Sequence, residues 1–390
     1  QRKMLAKIIE KGACRQDLVL LGGHPTITPP MWTTLATGCN SYVHGITGFY
    51  RQHPEDLSAV SYCLDSRLCK AEQVWNITAE SGKKTLVFHW PGSSWPPTSD
   101  SENLFVIDGT SPGALGMATS QTEKEFLLIA HDKVTEPRFV NNADPHIVAQ
   151  CVVEELPDSV RADNDAWDLD SAGFIDKMSN CFDFDLSKGG RQVLDLVQSY
   201  VKEPSGWAFE VPEGAKETIM LLSRGLIRRP ALMLKNAEGK YDHIAVYASK
   251  EAAEPLYVLE NDVYTPNCYD TLPYKGAEIN VVRNMRVLEI AEDGSYVRAW
   301  AGNASDADNS DCWYPRWIFD KVKAACGPPS ASSMSSGQDP DLILKCSGEQ
   351  WAQCAQWQAD AMIYMMENEG VEVVFSHFHG PDLSGHAYMK

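Results

Sequence analysis

Several sequence patterns that define common functions are missing from this chain of 390 residues. Neither GxxxxGK nor GxGxxG occurs, which argues against the glycine-rich loops that hold nucleotide phosphates in many enzymes. No GxSxG stretch is present to place a serine nucleophile on a strand-to-helix elbow. No apolar run approaches the roughly 20 residues of a membrane-spanning helix, so we expect no membrane span in this chain.

Positive charge is also scarce in this sequence. It has 34 lysines and arginines against 53 aspartates and glutamates, which gives a formal net charge of −19. Bulk electrostatics therefore argue against binding to a nucleic acid polymer. An anionic small molecule would need local positive charge, which bound metal ions can supply.

The cysteines do not form a recognisable framework. There are eleven, an odd number, and no CxxC pair occurs. This argues against a disulfide scaffold or a structural zinc site, and it favours reduced thiols and a cytoplasmic location. The composition, 44% hydrophobic and 22% charged, is that of an ordinary globular protein long enough for two or more domains. No sequence feature indicates an oligomeric state.

The first stretch that points to chemistry lies near Thr28. An apolar run at residues 18–21, closed by two glycines, predicts a buried strand. The following Thr28-Pro29-Pro30 predicts a sharp bend with an exposed hydroxyl, and the next helix should end near Gly38. A strand, a hydroxyl residue on a turn and a helix N-terminus can together place a nucleophile beside a bound phosphate. The alternative is a plain proline turn.

The second stretch is residues 371–386, VEVVFSHFHGPDLSGH. Its first five residues predict a buried strand, which runs into Asp382 and His386. A carboxylate and an imidazole four residues apart form a plausible half of a metal site. The alternative is a capping aspartate and a surface histidine. His377 and His379 precede this pair, where each is a candidate for contact with substrate or metal and also for a purely packed role.

These motifs together resemble the type I phosphodiesterase/nucleotide pyrophosphatase family of the alkaline phosphatase superfamily. The resemblance covers about residues 1–97 and 346–390. Three segments carry it in the family's order: Thr28 with PPMWTTLATG and His44-Gly45-Ile46; Trp75 with Ala79-Glu80, Gly82-Lys83 and Trp90-Pro91-Gly92-Ser93; and Pro381-Asp382-x-x-Gly385-His386.

The resemblance implies an α/β fold with an alkaline-phosphatase-like layered core. Residues 1–97 and 346–390 would form this core around a mostly parallel sheet, and residues 98–345 would form an inserted α+β cap domain. Within the core, strands at 17–22, 84–90 and 371–376 should be neighbours, and the spacing predicts a long helix over 348–369. Within the insert, the pattern predicts a helix at 189–202 and two hairpins, which turn at 236–239 and 292–294.

The resemblance also implies a metal-dependent hydrolase of small phosphate esters. Thr28 would be the nucleophile and a metal ligand, and Asp382 and His386 would be further ligands of two divalent ions. Zinc suits a mixed carboxylate and imidazole site, and manganese is the other metal whose preferences fit. If the site is built this way, the three side chains should converge within about 8 Å.

The sequence departs from the family at one position near the nucleophile. Met31 stands where nucleotide pyrophosphatases have a phosphate-contacting asparagine, which argues against nucleotides and favours the broader bacterial branch. Hydrolysis of phosphonates or phosphomonoesters stays open, as does a catalytically inactive relative whose insert binds a partner. The family's remaining metal ligands have no counterpart in residues 1–390. We therefore expect this chain to be an inactive fragment of a longer enzyme.

Overall fold

The computed structural model describes residues 2–12, 26–108, 121–123, 125–143, 194–274, 276–329 and 342–381. The fold is mixed α/β, with both parallel and antiparallel strand pairs. The predicted strand at 17–22 lies outside the described residues, and so do Asp382 and His386. Within these ranges no helix is long and apolar enough to cross a membrane.

Helices in the described ranges lie mostly at the two ends of the chain. They are α1 (Arg2–Lys11), α2 (Thr28–Thr37), α3 (Ser41–His44), α4 (Val74–Glu80), α5 (Ile318–Cys326) and α6 (Gly348–Asn368). Gly38 ends α2 as predicted, because its φ of +67° is left-handed and its N–H bonds the Thr34 carbonyl. The predicted helix over 348–369 is also confirmed, as α6.

The strands form a small sheet near the helices and larger sheets in the middle of the chain. In chain order they are β1 (Tyr50–His53), β2 (Asp56–Tyr62), β3 (Thr85–Phe88), β4 (Leu104–Ile107), β5 (Gln121–Glu123), β6 (Phe126–His131), β7 (Arg138–Ala143), β8 (Leu194–Tyr200), β9 (Lys216–Leu222), β10 (Ile227–Lys235), β11 (Tyr241–Val246), β12 (Tyr257–Glu260), β13 (Tyr264–Tyr274), β14 (Ala277–Ile290), β15 (Tyr296–Ala301), β16 (Ala304–Asp306), β17 (Trp313–Tyr314) and β18 (Val373–Ser376).

The small sheet has the strand order β17-β4-β3-β18, and it positions the candidate site. β3 pairs in parallel with both β4 and β18, which confirms that the strands predicted at 84–90 and 371–376 are neighbours. Residues of α5 and α6 pack with one face of β3 through Leu86 and Phe88, and residues of α2 and α4 pack with the other through Val87. Coverage on both faces explains why β3 is a short continuous apolar run. β18, which was predicted to be buried, is half-buried at all four residues because it pairs with β3 along one side.

The small sheet extends into the region that the sequence analysis assigned to the insert. β4 and β17 belong to this sheet, and α5 packs against it. The division of the chain into domains stays a prediction. The pair β3–β4 joins strands on the two sides of the predicted limit at residues 97 and 98.

The middle of the chain forms two antiparallel-rich sheets that share one apolar core. One has the order β12-β11-β10-β9, and the other the order β5-β16-β14-β15-β6-β8-β7 with β13 paired to β14. Both predicted hairpins are present, as β10–β11 and β14–β15. Glycine at 239 and 294 supplies the positive φ that each turn uses.

The predicted helix at 189–202 is wrong, because residues 194–200 form strand β8. β8 lies between β6, to which it is parallel, and β7, to which it is antiparallel. Residues 195–199 are all buried, so apolar side chains occur on both faces of the strand. A strand that is buried on both faces loses the alternation that would distinguish it from a helix.

A buried carboxylate, Glu217, fixes the start of β9. Its side chain is fully buried and accepts hydrogen bonds from Lys250 Nζ at 2.7 Å, Trp207 Nε1 at 2.8 Å and the Ser205 N–H at 3.1 Å. Burial by itself raises the pKa of Glu217, but the bonds from Lys250, Ser205 and Trp207 outweigh it and hold the pKa below its ordinary value.

Helix α6 also contacts the larger sheet. The Tyr264 hydroxyl of β13 donates to Gln353 Oε1 at 2.7 Å, and Arg286 of β14 donates to the Lys345 carbonyl at 2.7 Å. Arg286 forms an ion pair with Glu349 in the first turn of α6. The N-terminal half of α6 is therefore bonded to strands of the larger sheet.

Candidate active site

Thr28 is the first residue of α2 and is half-buried. Pro29 and Pro30 occupy the first turn of this helix, so the expected bend before the helix is the start of the helix itself. Proline is favoured there because its missing N–H would have no partner within the helix. The residue before Thr28, Ile27, is extended, with φ of −123° and ψ of 163°.

The same prolines limit the backbone donors at this helix N-terminus. Pro29 and Pro30 carry no N–H, and the Met31 N–H bonds the Ile27 carbonyl at 3.2 Å. The Thr28 N–H is thus the donor that the first turn retains for an anion. The sequence suggested that phosphate binds at this helix terminus, but with so few backbone donors such binding is weak. An anionic substrate therefore needs positive charge from another source.

His44 has a structural role in the turn after α3. Its buried ring accepts from the Ile46 N–H at Nδ1, at 3.1 Å, so Nε2 carries the proton and donates to Thr34 Oγ1, also at 3.1 Å. Burial lowers the pKa of His44. The neutral ring therefore ties α2 to the turn after α3.

The WPGS segment at 90–93 holds the first turn of α2 from a second side. Ser93 Oγ lies 2.7 Å from Thr33 Oγ1 in a buried hydrogen bond. Gly92 has a φ of +122°, and a Cβ built there would lie 2.8 Å from Leu64 Cδ2 and 4.0 Å from Pro29 Cα. The glycine thus allows the loop to approach the residue next to Thr28.

His377 and His379 lie directly after β18, and they bond each other. His379 Nδ1 lies 3.2 Å from His377 Nε2. The ring of Trp32, one helical turn from Thr28, contacts the His377 ring edge-on with centroids 4.7 Å apart. The structure therefore brings the helix of the predicted nucleophile against the strand end that leads to Asp382.

His89 is a third histidine at this edge of the sheet, which the sequence analysis missed. It follows β3 directly, as His377 follows β18, and it is buried with a φ of +53°. Burial, together with the nearby His377 and His379, lowers the pKa of His89 to about 3, so the ring is neutral. Its position immediately after a buried strand was the available signal, since parallel strands end at one edge.

The described residues do not complete a metal site. Among them no group of three or more histidine, cysteine, aspartate or glutamate side chains is arranged to hold a metal ion. The convergence of Thr28 with Asp382 and His386 therefore stays a prediction, because the last two lie outside the described ranges.

A family model places the chain among known proteins. The model described as type I phosphodiesterase / nucleotide pyrophosphatase matches residues 3–203, just over half of the sequence. The chain belongs to this family. No curated protein and no solved structure matches it at the significance required.

Family membership assigns a reaction class to the geometry described above. Type I phosphodiesterases and nucleotide pyrophosphatases hydrolyse phosphate esters, and this is the activity that membership implies for the chain. The matched region contains Thr28, His89 and the WPGS segment. The stretch at 371–386 lies beyond it and contributes through its contact with Trp32.

Proposed function

We propose that this member of the type I phosphodiesterase / nucleotide pyrophosphatase family is a metal-dependent hydrolase of small phosphate esters with Thr28 as its nucleophile. The observation that carries the proposal is the place of Thr28 on the first turn of α2, one turn before the Trp32 ring that contacts His377. Thr28 is half-buried, so part of the residue stays accessible at the start of the helix. The family match supplies the reaction class.

The proposed metal ligands are Thr28, Asp382 and His386. A hydroxyl, a carboxylate and an imidazole are donors that suit zinc, with manganese as the second choice for two divalent ions. Bound metal would supply positive charge that makes the hydroxyl a better nucleophile and neutralises phosphate oxygens. The need for such charge follows from the first turn of α2, where Pro29 and Pro30 leave few backbone donors.

The residues of the chain then have separate tasks. Thr28 Oγ, having lost its proton to solvent, would attack phosphorus as the P–O bond to the leaving alcohol or phenol breaks, and the leaving oxygen takes up a proton. Water would then hydrolyse the phosphothreonine ester and restore the hydroxyl, while the Thr28 N–H donates to a phosphate oxygen. Trp32 and His377 close the side of the site that faces β18, and His379 is the candidate for direct contact with the substrate. Thr33, through its bond to Ser93, holds the helix start in place.

A second candidate substrate class follows from Met31. Its half-buried thioether stands in the first turn of α2 and cannot donate a hydrogen bond to a phosphate oxygen. This argues against nucleotides and leaves phosphonates and phosphomonoesters open as substrates. Comparison of an aryl phosphodiester, an aryl phosphomonoester and an aryl phosphonate would rank the three classes.

We also propose an alkaline-phosphatase-like layered core with an inserted α+β cap domain. The parallel order β4-β3-β18, with helices against both faces, supports the core. The antiparallel sheets between residues 121 and 306 support a separate inserted unit. A cytoplasmic location is consistent with the eight cysteines that are free thiols in the described part of the chain.

The nucleophile is tested in the longer enzyme expected from the sequence, by Thr28→Ala with bis(p-nitrophenyl) phosphate and added zinc or manganese. We expect kcat to fall by at least about 10³-fold while circular dichroism stays unchanged, because the attacking oxygen is lost. Thr37→Ala is the matched control, since it removes a hydroxyl that bonds the Thr33 carbonyl at the other end of the same helix. Wild-type-like turnover by Thr28→Ala would exclude the threonine mechanism. Wild-type protein with no turnover of any of the three ester classes would indicate an inactive relative.

A further inference from the structure

Helix α6 carries a buried amide beside the ends of β3 and β18. Gln358 is 2% exposed and belongs to the same face of the helix as Trp357 and Ala361, which pack in the apolar core of the small sheet. A buried amide is unfavourable unless its donors and acceptor are bonded. The bonding partners of Gln358 therefore show what holds it there.

Both donors of this amide go to the carboxyl end of β18. Gln358 Nε2 donates to Ser376 Oγ at 2.9 Å and to the His377 carbonyl at 2.9 Å. The amide also bonds the side chain of His89, directly after β3. One side chain on α6 thus joins the ends of two neighbouring parallel strands, while Trp357 stacks on the His89 ring with centroids 6.1 Å apart.

We propose that Gln358 is a positioning residue, which fixes His377 against Trp32, and through His377 the bonded His379, and so sets the strand end relative to the nucleophile helix. Packing alone does not call for an amide here, because a methionine or leucine would fill a similar volume in an apolar core. The amide also makes directional hydrogen bonds. Its two bonds to consecutive residues fix where β18 ends and how the chain continues. This inference rests on the proposed function for its effect on turnover, but not for its structural content.

The test compares Gln358→Met with Gln356→Met on the same helix. Gln356 is exposed and its amide bonds Asp360, so the control removes an amide without touching a strand end. Two measurements are made on each variant: kcat and KM with the aryl phosphodiester, and the imidazole signals of ¹⁵N-histidine-labelled protein. His377→Gln and His379→Gln variants assign the signals.

We expect Gln358→Met to keep its fold, to lose at least about tenfold in kcat with KM within about threefold, and to shift or broaden the His377 and His379 signals. The control should change neither measurement. Gln358→Glu, whose ionised carboxylate cannot donate to the His377 carbonyl, should behave like Gln358→Met at a pH where the carboxylate is ionised. It also serves as the second variant if the methionine variant fails to fold.

The outcomes separate this inference from the proposed function. A wild-type protein without esterase activity removes the proposed function, and the histidine signals then decide the positioning role alone. Unchanged signals in a folded Gln358 variant overturn the role. If the histidine signals of an active Gln358 variant shift while its kcat stays at the wild-type value, the positioning role is also overturned. Failure of both Gln358 variants to fold overturns the positioning role as well.

Discussion

Gly92→Ala is the change that tests most directly how the WPGS segment supports the nucleophile helix. The added Cβ would lie 2.8 Å from Leu64 Cδ2, closer than real side chains approach, and 4.0 Å from Pro29 Cα. Leu64 is fully buried, so it has little room to move away. The backbone at Gly92, with a φ of +122°, is also one that alanine adopts with difficulty.

The expected loss of stability has two parts. A residue with a side chain held at positive φ costs about 1–3 kcal/mol, and overpacking a filled core costs about 1–3 kcal/mol. The free energy of unfolding should therefore fall by about 2–6 kcal/mol, a large part of the roughly 5–15 kcal/mol that domains possess. Gly38→Ala is the control, because its φ of +67° gives strain but a Cβ there meets nothing within 4 Å.

Urea unfolding, followed by tryptophan fluorescence and near-ultraviolet circular dichroism, measures both variants. The double variant Leu64→Ala/Gly92→Ala should be destabilised by less than the sum of the single changes, because the truncated Leu64 no longer meets the new Cβ. Equal destabilisation by Gly92→Ala and Gly38→Ala would refute the close approach of the WPGS loop to Leu64. The close approach would also be refuted if the double variant lost as much stability as the two single variants together.

Two further predictions concern buried ionisable groups. The pKa of His89 is about 3 in the fold against 6.5 in the unfolded chain, so between these values the unfolded state binds the proton more strongly. The free energy of unfolding should therefore fall as the pH drops from 6.5 toward 3. His89→Phe should reduce this pH dependence in equilibrium unfolding, and an unchanged pH dependence would contradict the prediction. Glu217→Ala leaves Lys250 and Trp207 without their buried acceptor and should cost about 3–5 kcal/mol in urea unfolding. Glu203→Ala, which removes an exposed carboxylate paired with Lys216, should lower the free energy of unfolding by at most about 1 kcal/mol. Equal losses of stability for the two glutamate variants would contradict the prediction.

The parts of the fold that local sequence determines were predictable. The end of α2 at Gly38 was predictable because it depends only on the left-handed backbone conformation of that one residue. The long helix α6 follows from apolar spacing, and β18 follows from a short apolar run after Gly370. In each case the signal and the structure lie within a few residues of each other.

Side-chain contacts between segments distant in sequence were not predictable from residue patterns. The family resemblance predicted that β3 and β18 are neighbours, but the residue pattern at 84–92 did not show that this pairing brings His89 beside His377. The sequence predicts the helix that carries Gln358, whereas the partners of its amide, Ser376 and His377, become evident only in three dimensions. The same limit explains the wrong helix at 189–202, since burial on both faces depends on the neighbouring strands.

Helix α6 has a mechanical consequence that follows from its bonds at two places. Gln353 is bonded to Tyr264 of the larger sheet, and Gln358 is bonded to the end of β18, about 7.5 Å further along the axis at 1.5 Å per residue. A helix is stiff over this distance, so a tilt imposed at one place is transmitted to the other without a flexible joint. A displacement of β13 or β14 must therefore either break the bonds to Gln353 and Glu349 or carry the amide of Gln358 with it. A movement of the larger sheet is therefore coupled through α6 to the strand end beside Trp32.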